Sequence, residues 1–525
     1  MQHACSHVLV FQYAQCVGSE HNELIIIIVC ANQGNALMIT ASQLYAYVQC
    51  PHRVYLDAFG DLTRRDEPNA FVELLWEQGV EHEAQIVAGL GVTADMSVVP
   101  FDDRERETRL AMQRGERLIY QGSLSSGDRL GAPDLLERRG DRYIAGDIKS
   151  GSGLEGDDSD AKLKKHYAVQ LGHYANILDL EGLGVGHEAF VIDRSGSRVP
   201  YVLDEPQGSR NTVTWWGAYL EAETAVRALL ARTAVTLPAL SATCKLCHWY
   251  SFCKADLIAR DDLTLIAELG RSKRDAMISA VPTVRAFARS NPDSFIQGKK
   301  TDFAGVGPDS LIKFHQRAQL LATPGSVPYL KQTVSLPIAA KEIFFDIEAD
   351  PMRDVVYLHG FVERLHGQPG SARFIPYFAD GIDPVHEESS FGEAWAYLSA
   401  RVQDSIVYYY SKYERTAYKK LASKYPGVCS EEQVVELFGL PAMVDLYSDV
   451  VKPATEWPTY DQSIKTLAQF LGFQWRDTHP SGAASIEWYH RWIETGDVAI
   501  KQRILDYNED DCLATGVVLD GIRRL

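Results

Sequence analysis

Two short acidic patterns carry the chemistry open to this sequence. Asp147-Ile148-Lys149 lies in RYIAGDIKS, a predicted strand, and side chains at i and i+2 of a strand share a face. Asp134, in RLGAPDLLER, stands about as far before a turn at Arg139-Gly140-Asp141 as Asp147 stands after it. A β-hairpin over 129–150 would set the two acids nearly opposite each other. Two converged carboxylates are costly unless a cation neutralises them, and Mg²⁺ held by oxygen ligands does so. With Lys149 beside the ion to orient or activate a water, the set suits metal-assisted phosphodiester hydrolysis. Gln170 and Tyr174, four apart on a predicted helix over 161–180, share a face. His82, on a predicted helix over 70–90, could reach the same metal.

The second pattern is Asp346-Ile347-Glu348, at the end of a strand opened by Ile343, Phe344 and Phe345. The same spacing rule puts both acids on one face. Near the C-terminus, IKQRILDYNEDDCLATGVVL reads as a helix on which Ile504, Tyr507, Asp511, Ala514 and Val518 form one stripe. Asp511 thus stands in an apolar stripe, where a charge needs a partner or a metal. Asp510 and Glu509 fall on other faces and read as solvated. A third constellation is sulfur: Cys244-x-x-Cys247, then Cys253, with Cys50 lying 194 residues before Cys244. Four thiolates suit Zn²⁺ or an iron–sulfur cluster, and a shared centre would fasten both ends of the intervening chain. Cys5, Cys16, Cys30, Cys429 and Cys512 read as ordinary thiols.

These residues need several scaffolds. At about 150 residues per domain, 525 residues suggest about three domains. A segment 38–60, cappable by Thr40 or Ser42, reads as one helix, and another spans 212–232. Residues 256–325 read as helical, 323–337 as a Pro-interrupted linker, and from 341 strands and helices alternate. The expected class is α/β and multidomain, with boundaries at 38–255, 256–325 and 338–525. A net charge of −18 excludes a bulk nucleic-acid condenser. Nucleic acid would be drawn by bound ions and by patches such as KLKK (162–165) and RSKR (271–274), with binding that weakens in salt. No run reaches the ~18 apolar residues that span a bilayer, and the longest, Leu24 to Ala31, follows no basic region, which speaks against a secretory signal. Residues 1–37 read as an extension, Met38 as the start, and the chain as cytoplasmic and free of the membrane.

Residues 40–255 resemble the RecB-like nuclease module of the PD-(D/E)XK superfamily, on His82, Gly131-x-Pro133-Asp134, Asp147-x-Lys149 and Gln170-x-x-x-Tyr174. The resemblance implies a restriction-endonuclease-type core, with Asp134 and Asp147 as metal ligands, His82 as the upstream histidine, Lys149 catalytic, and Gln170 and Tyr174 as the helix motif. One early and three late cysteines (Cys50, Cys244, Cys247, Cys253) resemble its iron–sulfur subclass. That favours a structural [4Fe-4S] cluster over zinc, which spacing alone leaves open. Phe303-Ala-Gly305-Val-Gly307 resembles a helix-hairpin-helix, whose glycines let backbone N–H groups approach a phosphate; a plain helical spacer fits equally well.

Residues 340–525 resemble the DEDD exonucleases on the ribonuclease H-like fold, in their YprB-type branch, a 3'-5' exonuclease-type domain. Asp346 and Glu348 match the first motif and Tyr507-x-x-x-Asp511 the third, in its tyrosine form. Glu414, in YYYSKYERTAYKKL, stands where the second motif has Asp, a departure that leaves Asp445 as a secondary candidate. The resemblance implies two ions, Mg²⁺ or Mn²⁺, on Asp346, Glu348, Glu414 and Asp511, with Tyr507 positioning the water. Together the resemblances imply a nuclease acting on DNA rather than RNA, on single strands or ends, in repair, recombination or defence, with a helicase as a partner. The alternative is an accessory nucleic-acid-binding subunit in which one or both sites are vestigial.

Overall fold

The hairpin forms where Gly140 supplies a left-handed turn (φ 68°) between Leu135–Arg139 and Arg142–Ile148, which pair antiparallel with Leu135 opposite Gly146. The computed structural model describes residues 7–11, 26–30, 38–156, 161–209 and 211–525. The extension 1–37, with Cys5 and Cys16, lies outside them apart from the backbone of the paired strands His7–Phe11 and Ile26–Cys30. Residues 1–68, 72–238 and 242–253 make one unit, and 69–71, 239–241 and 254–525 a second.

In the first unit a mixed sheet of β1 (Ala94–Asp95), β2 (Leu118–Tyr120), β3 (Leu135–Arg139), β4 (Arg142–Ile148), β5 (Gly184–Ile192) and β6 (Arg198–Val202) runs in that spatial order. The helix Lys165–Leu180 makes the crossover that lets β5 lie parallel to β4. Strand β4 is covered on both faces. Tyr143 and Ala145 pack with Ala168, Leu171 and Ala175 of that helix, whereas Ile144 and Ile148 face Ile86, Val87 and Leu90 of the helix Ala70–Leu90. The period of two therefore turns Asp147 toward the crossover helix.

The segment 38–60 is two helices, not one. Thr40 caps Ala41–Gln49 in a capping box with Gln43, and a second helix runs Pro51–Phe59. Pro51 has no N–H to continue the first helix, and it forces Cys50 into extended backbone (φ −161°, ψ 108°). Cys50 thus stands half-buried at a corner rather than inside a helix.

The second unit holds a five-stranded sheet, in spatial order β9 (Arg373–Phe378), β8 (Val355–Leu365), β7 (Lys341–Asp350), β10 (Ser405–Tyr409) and β11 (Met443–Asp445). β7 is antiparallel to β8 and parallel to β10. One face, with Phe344, Leu358 and Tyr408, carries the C-terminal helix Val498–Ile522 through Ile504, Ala514 and Val518. The other, with Phe345, Ile347 and Val407, carries the helices Pro384–Arg401 and Tyr413–Lys424 through Phe391, Leu398 and Tyr418. Residues 256–325 form short helices around Leu265, Phe287 and Phe314 and belong to this same unit. Tyr329–Leu330 pairs with Thr455–Glu456, and Arg317 (3% exposed) holds both oxygens of Glu456 (0% exposed) at 2.8 and 3.3 Å.

Among the described residues no helix is long and apolar enough to cross a membrane.

Candidate functional site

Asp134, just before β3, and Asp147, on β4, come together at the end of the hairpin. The Asp134 backbone N–H points to Asp147 Oδ1 at 3.5 Å, and Asp134 Oδ2 accepts from the Ile148 N–H at 2.8 Å. Burial, then the charges of Asp147 and Glu83, push the Asp134 carboxyl well above its ordinary range. Lys149 Nζ lies 2.9 Å from Asp147 Oδ2. Burial works against that ammonium, but the carboxylates of Asp147 and Asp134 outweigh it and hold its pKa above that of a free lysine. From the crossover helix, Gln170 donates to the Tyr174 hydroxyl (3.2 Å), which donates to the Ala132 carbonyl (3.3 Å). Both residues thus flank the acids.

The helix Ala70–Leu90 brings Glu83 to this end and carries His82 one residue before it. His82 Nε2 is buried and accepts or donates no hydrogen bond. Glu83, which the sequence reading passed over, reaches Asp134 through Gln121, whose amide donates to Glu83 Oε1 (2.7 Å) and Asp134 Oδ1 (3.2 Å). Its signal was present as the second acid of GVEHE, one residue from the chosen histidine.

Cys50, Cys244, Cys247 and Cys253 are half-buried and form no disulfide. A carboxylate fastens their segments: Asp57 Oδ1 accepts from His248 Nε2 (2.7 Å), Trp249 Nε1 (2.8 Å) and Arg65 Nη2 (3.1 Å). Asp57 lies on the helix that begins after Cys50, so the latch draws the late cysteines toward the early one. Burial first, and the nearby Cys50 among the charges, raise the Cys247 thiol. Cys429 is buried among apolar residues, whereas Cys512 is buried beside the acids Asp346 and Asp511 with its thiol donating to the Gly360 carbonyl at 3.4 Å.

In the second unit, ligand atoms of Asp346, Glu348 and Asp511 all lie within 4.8 Å of one another. At an effective dielectric of ~20, each such pair of charges repels by about 3.5 kcal/mol. Three ionised acids would then cost about 10 kcal/mol, as much as a domain's whole stability. Burial, with the charges of Asp511 and Glu348, pushes Asp346 well above the carboxylate range. Burial and Asp511 push Glu348 up to about 8. Hard oxygen donors at this spacing fit a divalent cation such as Mg²⁺. Residues 343–522 match the family model RNase_H_2 of the RNase H superfamily. This part of the chain is a ribonuclease H-like domain. No curated protein matches the chain.

The ribonuclease H-like domain draws the three acids of its centre from two elements. The pair Asp346 and Glu348 comes from β7, and Asp511 from the apolar stripe of the C-terminal helix. Asn508 on that helix donates to Asp346 Oδ2 at 2.8 Å. It reaches across β8 at Gly360, where a Cβ would meet the Asn508 Oδ1 at 1.6 Å. Tyr357 donates to Glu348 Oε2 (3.4 Å) and shares a hydrogen bond with Ser485 (2.8 Å). Lys465 Nζ donates to Asp511 Oδ1 (2.9 Å), to its Oδ2 (3.1 Å) and to the Tyr507 hydroxyl (2.9 Å). Trp475 Nε1 donates to Asp511 Oδ1 at 2.6 Å. Burial, then Asp511, push the Tyr507 phenol well above its ordinary value, so it stays a hydroxyl.

Glu414 lies beside this trio but outside it. It is buried at the start of the helix Tyr413–Lys424, with Oε2 unpartnered, and burial pushes it up to about 8. Asp445 is committed to backbone: its Oδ1 accepts from the Ser411 and Ser448 N–H groups at 3.1 and 2.9 Å. Asp510, expected in solvent, is 4% exposed and accepts from Arg476 at 2.8 and 2.9 Å. The RSKR patch is also partly spent internally, since Arg274 (1% exposed) holds Asp262 at 2.6 Å. Gly305 takes φ 74°, and Gly307 caps the helix Pro308–Ala322.

Proposed function

We propose that this chain is a metal-dependent nuclease with two centres, one in each unit. The convergence of Asp346, Glu348 and Asp511 within the ribonuclease H-like domain carries the reading. A divalent ion, Mg²⁺ or Mn²⁺, would be held by these acids, and in the first unit by Asp134 and Asp147; when bound it supplies Lewis acidity and neutralises charge on a phosphodiester. The chain's own residues orient the reaction. Tyr507, kept as a hydroxyl, offers a hydrogen bond to the attacking water. Lys149, kept as an ammonium, offers a positive charge to the phosphate or its departing oxygen. Asp57 would hold the cysteine segments in place for a [4Fe-4S] cluster with a structural role.

The substrate would be DNA, as single strands or ends, and the exposed backbone turn at Gly305 and Gly307 would contact its phosphates. Because the chain is acidic, bound ions and basic patches such as KLKK (162–165) would have to attract the phosphates, and binding through them should weaken with salt. A second reading, a nucleic-acid-binding subunit with a vestigial C-terminal centre, is favoured by Glu414, which stands outside the acid trio. Anaerobic purified protein, Mn²⁺ and labelled single-stranded DNA decide between them. The nuclease reading expects Asp147→Ala and Asp346→Ala each to remove one component of cleavage. Cleavage unchanged in both variants would reject the assignment, and cleavage sensitive only to Asp147→Ala would favour the second reading.

A further inference from the structure

We propose that Lys465 is a built-in cation of the ribonuclease H-like centre, taking the place of a second divalent ion, so that this centre holds one ion on Asp346 and Glu348 rather than a pair. The inference deepens the metal-dependent reading above and rests on it.

The ammonium is caged rather than merely near. Besides its three hydrogen bonds to Asp511 and Tyr507, it lies 4.7 Å from the ring centre of Tyr507 and 5.1 Å from that of Trp475. Cation–π contacts of this kind are strongest when desolvated. Its helix, Ile464–Phe470, is capped by the Ser463 side chain and packs Leu467 and Ala468 into the core with the C-terminal helix. The fold therefore fixes the helix from which Lys465, its side chain 28% exposed, reaches Asp511.

Asp511 is correspondingly engaged. An ionised carboxylate has about four lone-pair sites. Lys465 takes one on each oxygen, and Trp475 takes another on Oδ1. Little remains for bridging two ions. Charge agrees: Asp346, Glu348 and Asp511 bring three negative charges, which one divalent ion and one ammonium neutralise. A second divalent ion beside the ammonium would leave the trio with two excess positive charges, or one if the neighbouring Glu414 is also ionised, and buried net charge is strongly disfavoured. Lys465 is thus a positioning residue for Asp511 and Tyr507 as well as a charge.

Electron paramagnetic resonance of Mn²⁺ titrated into the full chain tests this, with Asp147→Asn in place to silence the first centre. With Lys465 intact, the expected result is one isolated ion, lost on adding Asp346→Asn. Lys465→Met and Lys465→Gln should each gain a second ion spin-coupled to the first, doubling the stoichiometry, while Lys465→Arg keeps one. A coupled pair with Lys465 intact, or no added ion in a Lys465→Gln chain that unfolds cooperatively, overturns the proposal. Uptake indifferent to Asp346→Asn would instead refute the metal reading beneath it.

Discussion

The two acid centres differ in where their cation comes from. In the first unit Lys149 stands two residues from Asp147, just past the end of β4, where its backbone still pairs with Ile192, so the strand's own period aims both at one point. In the ribonuclease H-like domain Lys465 is 46 residues from Asp511 on a separate helix, and only packing brings them together. The first centre is local chemistry, secured by one hairpin. The second is a product of tertiary structure and fails if the sheet, its neighbouring helix or the C-terminal helix shifts. The units also differ in their fastening. Both have apolar layers on the two faces of a sheet, but the second adds a buried ion pair and the first a carboxylate latch between segments far apart in sequence.

The contrast can be broken most forcefully at Arg317. Arg317→Met leaves Glu456 fully buried with Lys331 as its remaining cation (3.0 Å), and removing one partner of a buried pair costs about 3–5 kcal/mol. Urea unfolding should show that loss in the second unit, with the transition of the first unmoved.

Next in size is a pH effect that should weigh more on the second unit. Glu348 and Glu414 are raised from 4.5 to about 8 and Asp346 is raised too, against Asp134 alone in the first unit. A carboxyl with a raised folded pKa holds its proton more tightly in the folded chain. Its contribution is present below the unfolded value and is lost as pH rises toward the folded one. In chelator the melting temperature should therefore fall from about pH 4.5 to about 8, and Mn²⁺ should restore it most at the alkaline end. A Mn²⁺ increment that does not grow with pH would contradict this.

Asp57→Ala tests the other fastening. It removes three hydrogen bonds from a charged acceptor, two of them to the cysteine segment, for about 2 kcal/mol in the first unit. Thiol labelling of Cys247 should accelerate in parallel. The smallest effect is expected at Glu414, which lies outside the trio. Glu414→Asp should change Mn²⁺ affinity by less than about tenfold, whereas Asp346→Asn should change it by more than about 100-fold.

The same contrast explains what the sequence made legible. Asp147 with Lys149, and Asp346 with Glu348, were readable because a strand's period of two needs no knowledge of the rest of the fold. Asp511 was readable because a charge interrupts an otherwise apolar stripe. Lys465, Trp475 and Asn508 carry no such local mark: each meets its acid only after helices dock on the sheet. Arg274 looked like part of a phosphate-binding patch because its partner, Asp262, lies twelve residues away across a turn. The helix break at Cys50 did have a local signal in Pro51, which the amphipathic pattern of 38–60 concealed.

Calorimetric titration of Mn²⁺ into the full chain tests most directly whether these acids gather into two ion-dependent centres. Two classes of site are predicted, one lost in Asp147→Asn, the other in Asp346→Asn, and neither left in the double variant. Mn²⁺ uptake by the double variant equal to that of the unaltered chain would contradict the account.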